Sequence, residues 1–99
     1  MNIEIMKNTA AEVSTLMKTL SNEHRLLALC QLAEGERSVG ELAEILDVRL
    51  PAMSQQLTLL RLEGFVSTRR AGQTIYYSLA REDVKSLIKF LYKTYCKSP

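Results

Sequence analysis

Cysteine occurs twice in this 99-residue chain and histidine once. No apolar run approaches the roughly 18–20 residues that a membrane span needs. Each scarcity excludes a class of function. Two cysteines are too few for the disulfide framework of a small secreted domain. A single histidine, with no glycine-rich phosphate loop and no Ser/His/Asp set, argues against an enzyme. The opening residues, Met1 to Lys7, lack the basic-then-apolar layout of a signal peptide, so the expected location is the cytoplasm. Repeats, low-complexity tracts and linkers are missing as well, which leaves one compact unit. What remains, 46% hydrophobic and 24% charged, is the make-up of an ordinary soluble domain. A monomer of this size has a thin core, so oligomerisation is expected.

The net charge of +2 conceals a division along the chain. Residues 1–33 are balanced. Residues 34–47 hold Glu34, Glu36, Glu41, Glu44 and Asp47 against Arg37 alone. Residues 48–81 reverse the sign, with Arg49, Arg61, Arg69, Arg70 and Arg81 against Glu63. An all-arginine basic segment raises the prior for phosphate contact above that of a merely solvated face.

Hydrophobic spacing divides the chain into helices and a hairpin. Ala10, Val13, Leu16, Met17 and Leu20 recur at helical period and predict a helix over 6–20. Ser21 and Asn22 are good caps for a second helix, 23–33, whose apolar residues surround most of its circumference and mark it as central and buried. Gly35 ends it. Ser38 and Glu41 have the spacing of a capping box before a short helix, 39–46, with Val39, Leu42, Ala43 and Leu46 inward. Asp47-Val48-Arg49 makes a three-residue turn. Pro51 suits the first turn of a helix over 50–63 that stops at Gly64, with Leu50, Met53, Leu57 and Leu60 inward. The period then falls to two, predicting strands at 65–70 and 74–79 joined through Ala71-Gly72-Gln73. A last amphipathic helix, 82–96, carries Val84, Leu87, Ile88, Leu91, Tyr92 and Tyr95 on one side and Lys85, Lys89 and Lys93 on the other. The predicted fold is mainly α with a small β-hairpin (α+β). It is a winged helix-turn-helix of five helices with a two-stranded wing, in one domain over 1–99.

Such a unit offers its second short helix to the DNA major groove. Around that helix Gln55 and Thr58 point away from the core, with Ser54 and Gln56 at its borders. Glutamine pairs with adenine through two hydrogen bonds, and serine and threonine reach bases or phosphates. Arg49 stands just before the helix. Arg69, Arg70, Gln73 and Thr74 flank the tip of the wing, where backbone or minor-groove contact is made. A glutamine pair on its own is ordinary surface; the surrounding cap, turn and Arg-Arg hairpin make double-stranded DNA the expected partner.

Four runs then resemble one family. Leu20-Ser21-Asn22-Glu23-His24-Arg25-Leu26, Ser38-Val39-Gly40-Glu41-Leu42, Met53-Ser54-Gln55-Gln56-Leu57 continuing to Leu60-Arg61-Leu62-Glu63-Gly64, and Gly72-Gln73-Thr74-Ile75-Tyr76-Tyr77-Ser78-Leu79 look like the ArsR/SmtB family of bacterial repressors. The match covers nearly the whole chain. The resemblance implies a homodimer paired through the first and last helices, bound to an inverted-repeat operator and released by an inducer. Arg49-Leu50-Pro51-Ala52 departs from the Ser- and Gln-rich start usual in the family's recognition helix.

Metal-sensing members carry cysteines in the third helix or histidines in the last, and this chain has neither. Cys30, Cys96 and His24 make a poor ligand set, so no metal and no cofactor are expected. Read as residues alone, Cys30 is a small core hydrophobe and Cys96 an idle terminal residue, or the two form a thiol device. Their placement resembles the persulfide-responsive BigR- and SqrR-like subgroup, with HlyU-like virulence regulators close by. That resemblance implies a Cys30/Cys96 redox switch answering persulfide or polysulfide, and control of sulfide-detoxification or virulence genes. Lys93 and Lys97 neighbour Cys96 and favour its thiolate form. An antirepressor of the HlyU kind and a metal- or haem-responsive repressor are the alternatives.

Overall fold

The computed structural model of the chain describes residues 1–96. Its elements are α1 (Ile3–Leu20), α2 (Glu23–Glu34), β1 (Arg37–Ser38), α3 (Val39–Leu46), α4 (Leu50–Leu62), β2 (Val66–Ala71), β3 (Thr74–Leu79) and α5 (Glu82–Tyr95). This is the winged helix-turn-helix that the sequence predicts. Three boundaries have local causes worth stating. α1 begins at Ile3, ahead of the expected residue 6, because the Asn2 side chain accepts a hydrogen bond from the Glu4 backbone N–H. Asn22 caps α2, whereas Ser21 closes α1. The wing strand expected at 65–70 runs 66–71, leaving a two-residue turn at Gly72–Gln73, where Gly72 takes a left-handed φ of 64°. The helices expected to end at 33, 63 and 96 end at Glu34, Leu62 and Tyr95.

The wing has a third strand that the sequence conceals. β1 pairs antiparallel with β3, Arg37 opposite Tyr77 and Ser38 opposite Tyr76, giving the order β1-β3-β2. Two residues show no periodicity, so pattern reading assigns them to the loop before α3. The capping box there forms as predicted: the Ser38 hydroxyl accepts from the Glu41 N–H at 3.2 Å, and the Glu41 carboxylate accepts from the Ser38 N–H at 2.9 Å.

Ala28, Leu29 and Leu32 of α2 lie at the centre of the core. Leu42 and Ala43 of α3, Met53, Leu57 and Leu60 of α4, Phe65, Val66, and Val84 and Ile88 of α5 close around them. Two expectations need correction. Leu50, expected inward, is 53% exposed, because it occupies the first turn of α4 before that helix meets the core. α2 is central but not fully enclosed, since Leu27 remains exposed on its outer side. α1 buries only Thr19 and Leu20 within the protomer, leaving Ile3, Ile5, Val13 and Met17 exposed. Phe90, Tyr92 and Tyr95 of α5 are exposed as well. The body measures 49 × 37 × 20 Å, thin in one direction. No helix among the described residues is long and apolar enough to cross a membrane.

Candidate nucleic-acid interface and thiol pair

The turn between α3 and α4 fixes the helix-turn-helix angle. Asp47 adopts the left-handed conformation at φ 53°, and the Val48 N–H donates to the Ala43 carbonyl at 2.9 Å. Aspartate tolerates this conformation better than bulkier residues do. α4 then starts with Arg49 as its cap, Pro51 in the first turn and no acidic residue there. Its partly positive N-terminus is therefore uncompensated by a carboxylate of its own first turn, a setting that favours phosphate.

Met53, Leu57 and Leu60 turn inward from α4, while Arg49, Ser54, Gln55 and Thr58 are exposed on the other side. The structure thus gathers four of the residues that the sequence assigns to DNA onto one face. Thr58 spends its hydroxyl proton on the Ser54 carbonyl at 2.9 Å and retains acceptor capacity. Gln56 behaves differently. It is half-buried, and its Oε1 accepts a hydrogen bond from Arg25 Nη1 at 3.3 Å, which leaves its amide donors and one oxygen lone pair.

At the wing the residues divide again. Arg69 forms a two-pronged ion pair with Glu36, Nε to Oε2 at 3.0 Å and Nη2 to Oε1 at 2.6 Å. Its guanidinium also lies 4.9 Å from the Tyr76 ring centroid. The Arg69 bond and charge hold the Glu36 carboxyl below the usual carboxylate range. Arg69 therefore braces the wing against the segment before β1. Arg70 folds back to donate to the Gly72 carbonyl at 3.0 Å, and Gln73 and Thr74 stand exposed at the turn. Arg81, from the same basic segment, pairs with Asp83 and lies over Phe65, away from the wing tip.

Cys30 lies on α2 and Cys96 at the end of α5, two elements that pack against one another. α5 packs against α2, on which Cys30 is half-buried against the core. Cys96 caps the end of α5, its N–H donating to the Tyr92 carbonyl at 2.9 Å, and is exposed as a free thiol. Burial, then charge on Cys96, then charge on Glu34 push the Cys30 thiol up. Lys97, expected to assist the Cys96 thiolate, lies outside the described residues. Among the described residues no group of three Cys, His, Asp or Glu side chains is arranged to hold a metal ion.

Sequence reasoning passed over four residues of this region: Thr19, Arg25, Glu36 and Glu63. Each acts through a partner remote in the chain, and no local spacing announces such a contact.

The pattern of the bacterial regulatory protein arsR family matches residues 22–68. The transcriptional activator HlyU of Vibrio cholerae is 41% identical over 98 residues, which span 99% of this chain and 91% of that protein. A structure of reduced HlyU from that organism superposes with a TM-score of 0.88 at 40% identity, covering 95% of this chain and 99% of that one. The transcriptional repressor BigR from Xylella fastidiosa gives a TM-score of 0.92 at 43% identity, covering 99% and 100%. The homodimeric winged helix-turn-helix DNA-binding domain of Mb0332 from Mycobacterium bovis gives 0.75 at 34% identity, covering 90% and 83%.

Proposed function

The chain belongs to the arsR family of bacterial regulatory proteins, and we propose that it is a cytoplasmic, dimeric repressor released from DNA when reactive sulfur bridges Cys30 and Cys96. Membership makes it a transcriptional regulator rather than an enzyme. The finer reading rests on one observation: a half-buried thiol on α2 and an exposed thiol at the end of α5 stand on two helices packed against each other, in a chain that has no other cysteine.

The two halves of the device differ in reactivity. Cys96 is accessible and meets the inducer first. Cys30, held protonated by burial and by its neighbours' charge, resolves the intermediate. With an organic polysulfide, R–S–Sn–S–R, Cys96 displaces one RS⁻ and Cys30 displaces the second. The products are Cys30–S–Sn–S–Cys96 and two RSH, so the polysulfide is the oxidant and the two thiols lose their protons to the departing thiolates. A chain of added sulfurs spans a wider gap than a direct disulfide, which needs Cα atoms within about 7 Å. The solution of a relative in a form described as reduced supports attention to thiol state.

DNA is held by Arg49, Ser54, Gln55 and Thr58 from α4 and by Arg70, Gln73 and Thr74 at the wing tip, while Gln56 is turned to Arg25 behind them. Arg69 joins them only by loosening its pair with Glu36. The exposed apolar faces of α1 and α5 pair two protomers, a reading supported by the homodimeric Mb0332 domain. Recognition helices of such a dimer must be spaced by about 34 Å, so a small shift of α2 against α5 is costly to operator binding. The likeness to an activator favours a second reading, in which the bound chain displaces another repressor; release by the thiol bridge is common to both.

The test is an operator mobility shift with glutathione polysulfide, repeated on Cys96→Ser, together with intact-mass measurement. The wild-type protein is expected to lose its complex and to gain the mass of the inserted sulfurs less two hydrogens. Undiminished release in the serine variant defeats the switch.

A further inference from the structure

Three helices meet at a polar junction behind the reading face. The Thr19 carbonyl, near the end of α1, accepts from Arg25 Nε at 2.9 Å. The same guanidinium, on α2, donates through Nη1 to Gln56 Oε1 at 3.3 Å. The Thr19 hydroxyl shares its proton between Glu63 Oε2 at 3.1 Å and the Thr15 carbonyl of its own helix at 3.3 Å. Gln56 lies at the middle of α4 and Glu63 caps its end, so α4 is tied to Thr19 of α1 at two points, through Arg25 and directly. Thr19 is only 6% exposed, the mark of a polar group kept in place by its partners.

We propose that Thr19 and Arg25 are positioning residues for operator recognition. They set α4, with the Gln55 edge that it presents, at a fixed angle to α1. The inference rests on α4 being the DNA-reading helix and α1 a dimer-forming one. In a dimer, rotation of α4 against α1 misplaces two reading helices at once, and sequence-specific contacts tolerate such error poorly. Non-specific phosphate contact tolerates it well, because it has no register. Arg25 is turned inward to protein acceptors, so its contribution is geometry and not charge toward the phosphates. It also shares α2 with Cys30, so any displacement of α2 by the thiol bridge is passed to Gln56 by the same guanidinium.

The experiment uses the full chain and two probes: a duplex enriched by the wild-type protein from a random library, and an unselected duplex of equal length. Affinities are measured across a salt series for wild type, Arg25→Ala, Gln56→Met and the double variant. Each single variant is expected to lose about tenfold on the enriched duplex, the effect of one hydrogen bond to a charged group. Binding to the unselected duplex and the salt slope stay at wild-type values, and the double variant is no weaker than the weaker single one. Additive losses overturn the proposal. So does a parallel fall on both probes with the salt slope reduced by about one, which marks a phosphate contact. Wild-type affinity in both single variants overturns it too. Should Arg25→Ala lose its helical circular dichroism, Gln56→Met and Thr19→Val break the two arms separately, and the same loss confined to the enriched duplex decides the matter. Failure of the wild-type chain to enrich any duplex strikes instead at the DNA-reading role of α4.

Discussion

Arg69 and Glu36 illustrate how a single contact changes the meaning of a residue. From sequence, Arg69 is one of two adjacent cations beside a hairpin turn, placed to meet phosphate. In the fold, the guanidinium is clasped by Glu36, the residue just before β1, and lies against Tyr76. The acid that captures it belongs to the acidic block, so the charge division along the chain becomes partly an internal pairing. Because the Glu36 carboxyl is held below its ordinary range, the stability it contributes is present above that range and is lost as pH falls through the lowered value. Thermal melts are therefore expected to separate wild type from Arg69→Ala near neutral pH. The two curves converge once acid has protonated Glu36; a constant gap down to low pH would show that the pair adds nothing. Gln56 is the second such case: its spacing places it at a border of the reading face, but Arg25 claims its carbonyl. Neither partner was legible, because each lies outside the few residues over which local patterns operate.

At the scale of elements the sequence is far more explicit. The Ser38–Glu41 box, the Asp47 turn and the Pro51 start are local devices whose cause lies within a few residues, and each appears where the pattern put it. Ser38 has a second duty that its cap role hides, since it also pairs with Tyr76 in the wing sheet. Ser38→Ala is expected to cost about 0.5–2 kcal/mol in urea unfolding, the usual loss for a helix cap. The carboxyl of Glu41, held low first by the Ser38 backbone N–H and then by its hydroxyl, should rise only part of the way toward the ordinary carboxylate range in an NMR titration of the same variant, since alanine keeps the N–H. An unchanged Glu41 titration would mean that the Ser38 hydroxyl takes no part in the box in solution. β1 was missed because a two-residue strand owes its existence to β3 and not to its own composition.

The whole molecule is a thin body with apolar surface it does not bury. Val13 and Met17 on α1 and Phe90, Tyr92 and Tyr95 on α5 are exposed in the isolated protomer, although periodicity marks most of them as inward. Both statements hold if a second copy covers them. Met17→Glu places a charge in that contact and is expected to yield monomers by analytical ultracentrifugation, with helical circular dichroism retained. Since the two halves of an operator are then engaged independently, affinity for an inverted repeat should fall by about 100-fold or more. A Met17→Glu protein that remains dimeric would move the interface elsewhere.

The sequence by itself determined the order and type of the helices and of the two-stranded hairpin, the inward faces of α3 and of most of α4, and four exposed residues along the outer side of α4. Those follow from periodicity and capping, which act within one or two turns of chain. Tertiary structure alone decided that α5, which ends at Cys96, packs against the helix that carries Cys30, that Arg69 braces the wing, and that Arg25 joins α1 to α4 through Thr19 and Gln56. Each joins residues from separate elements, whose meeting depends on how the helices pack around Leu29, Leu42 and Leu57 and not on anything the neighbouring residues encode.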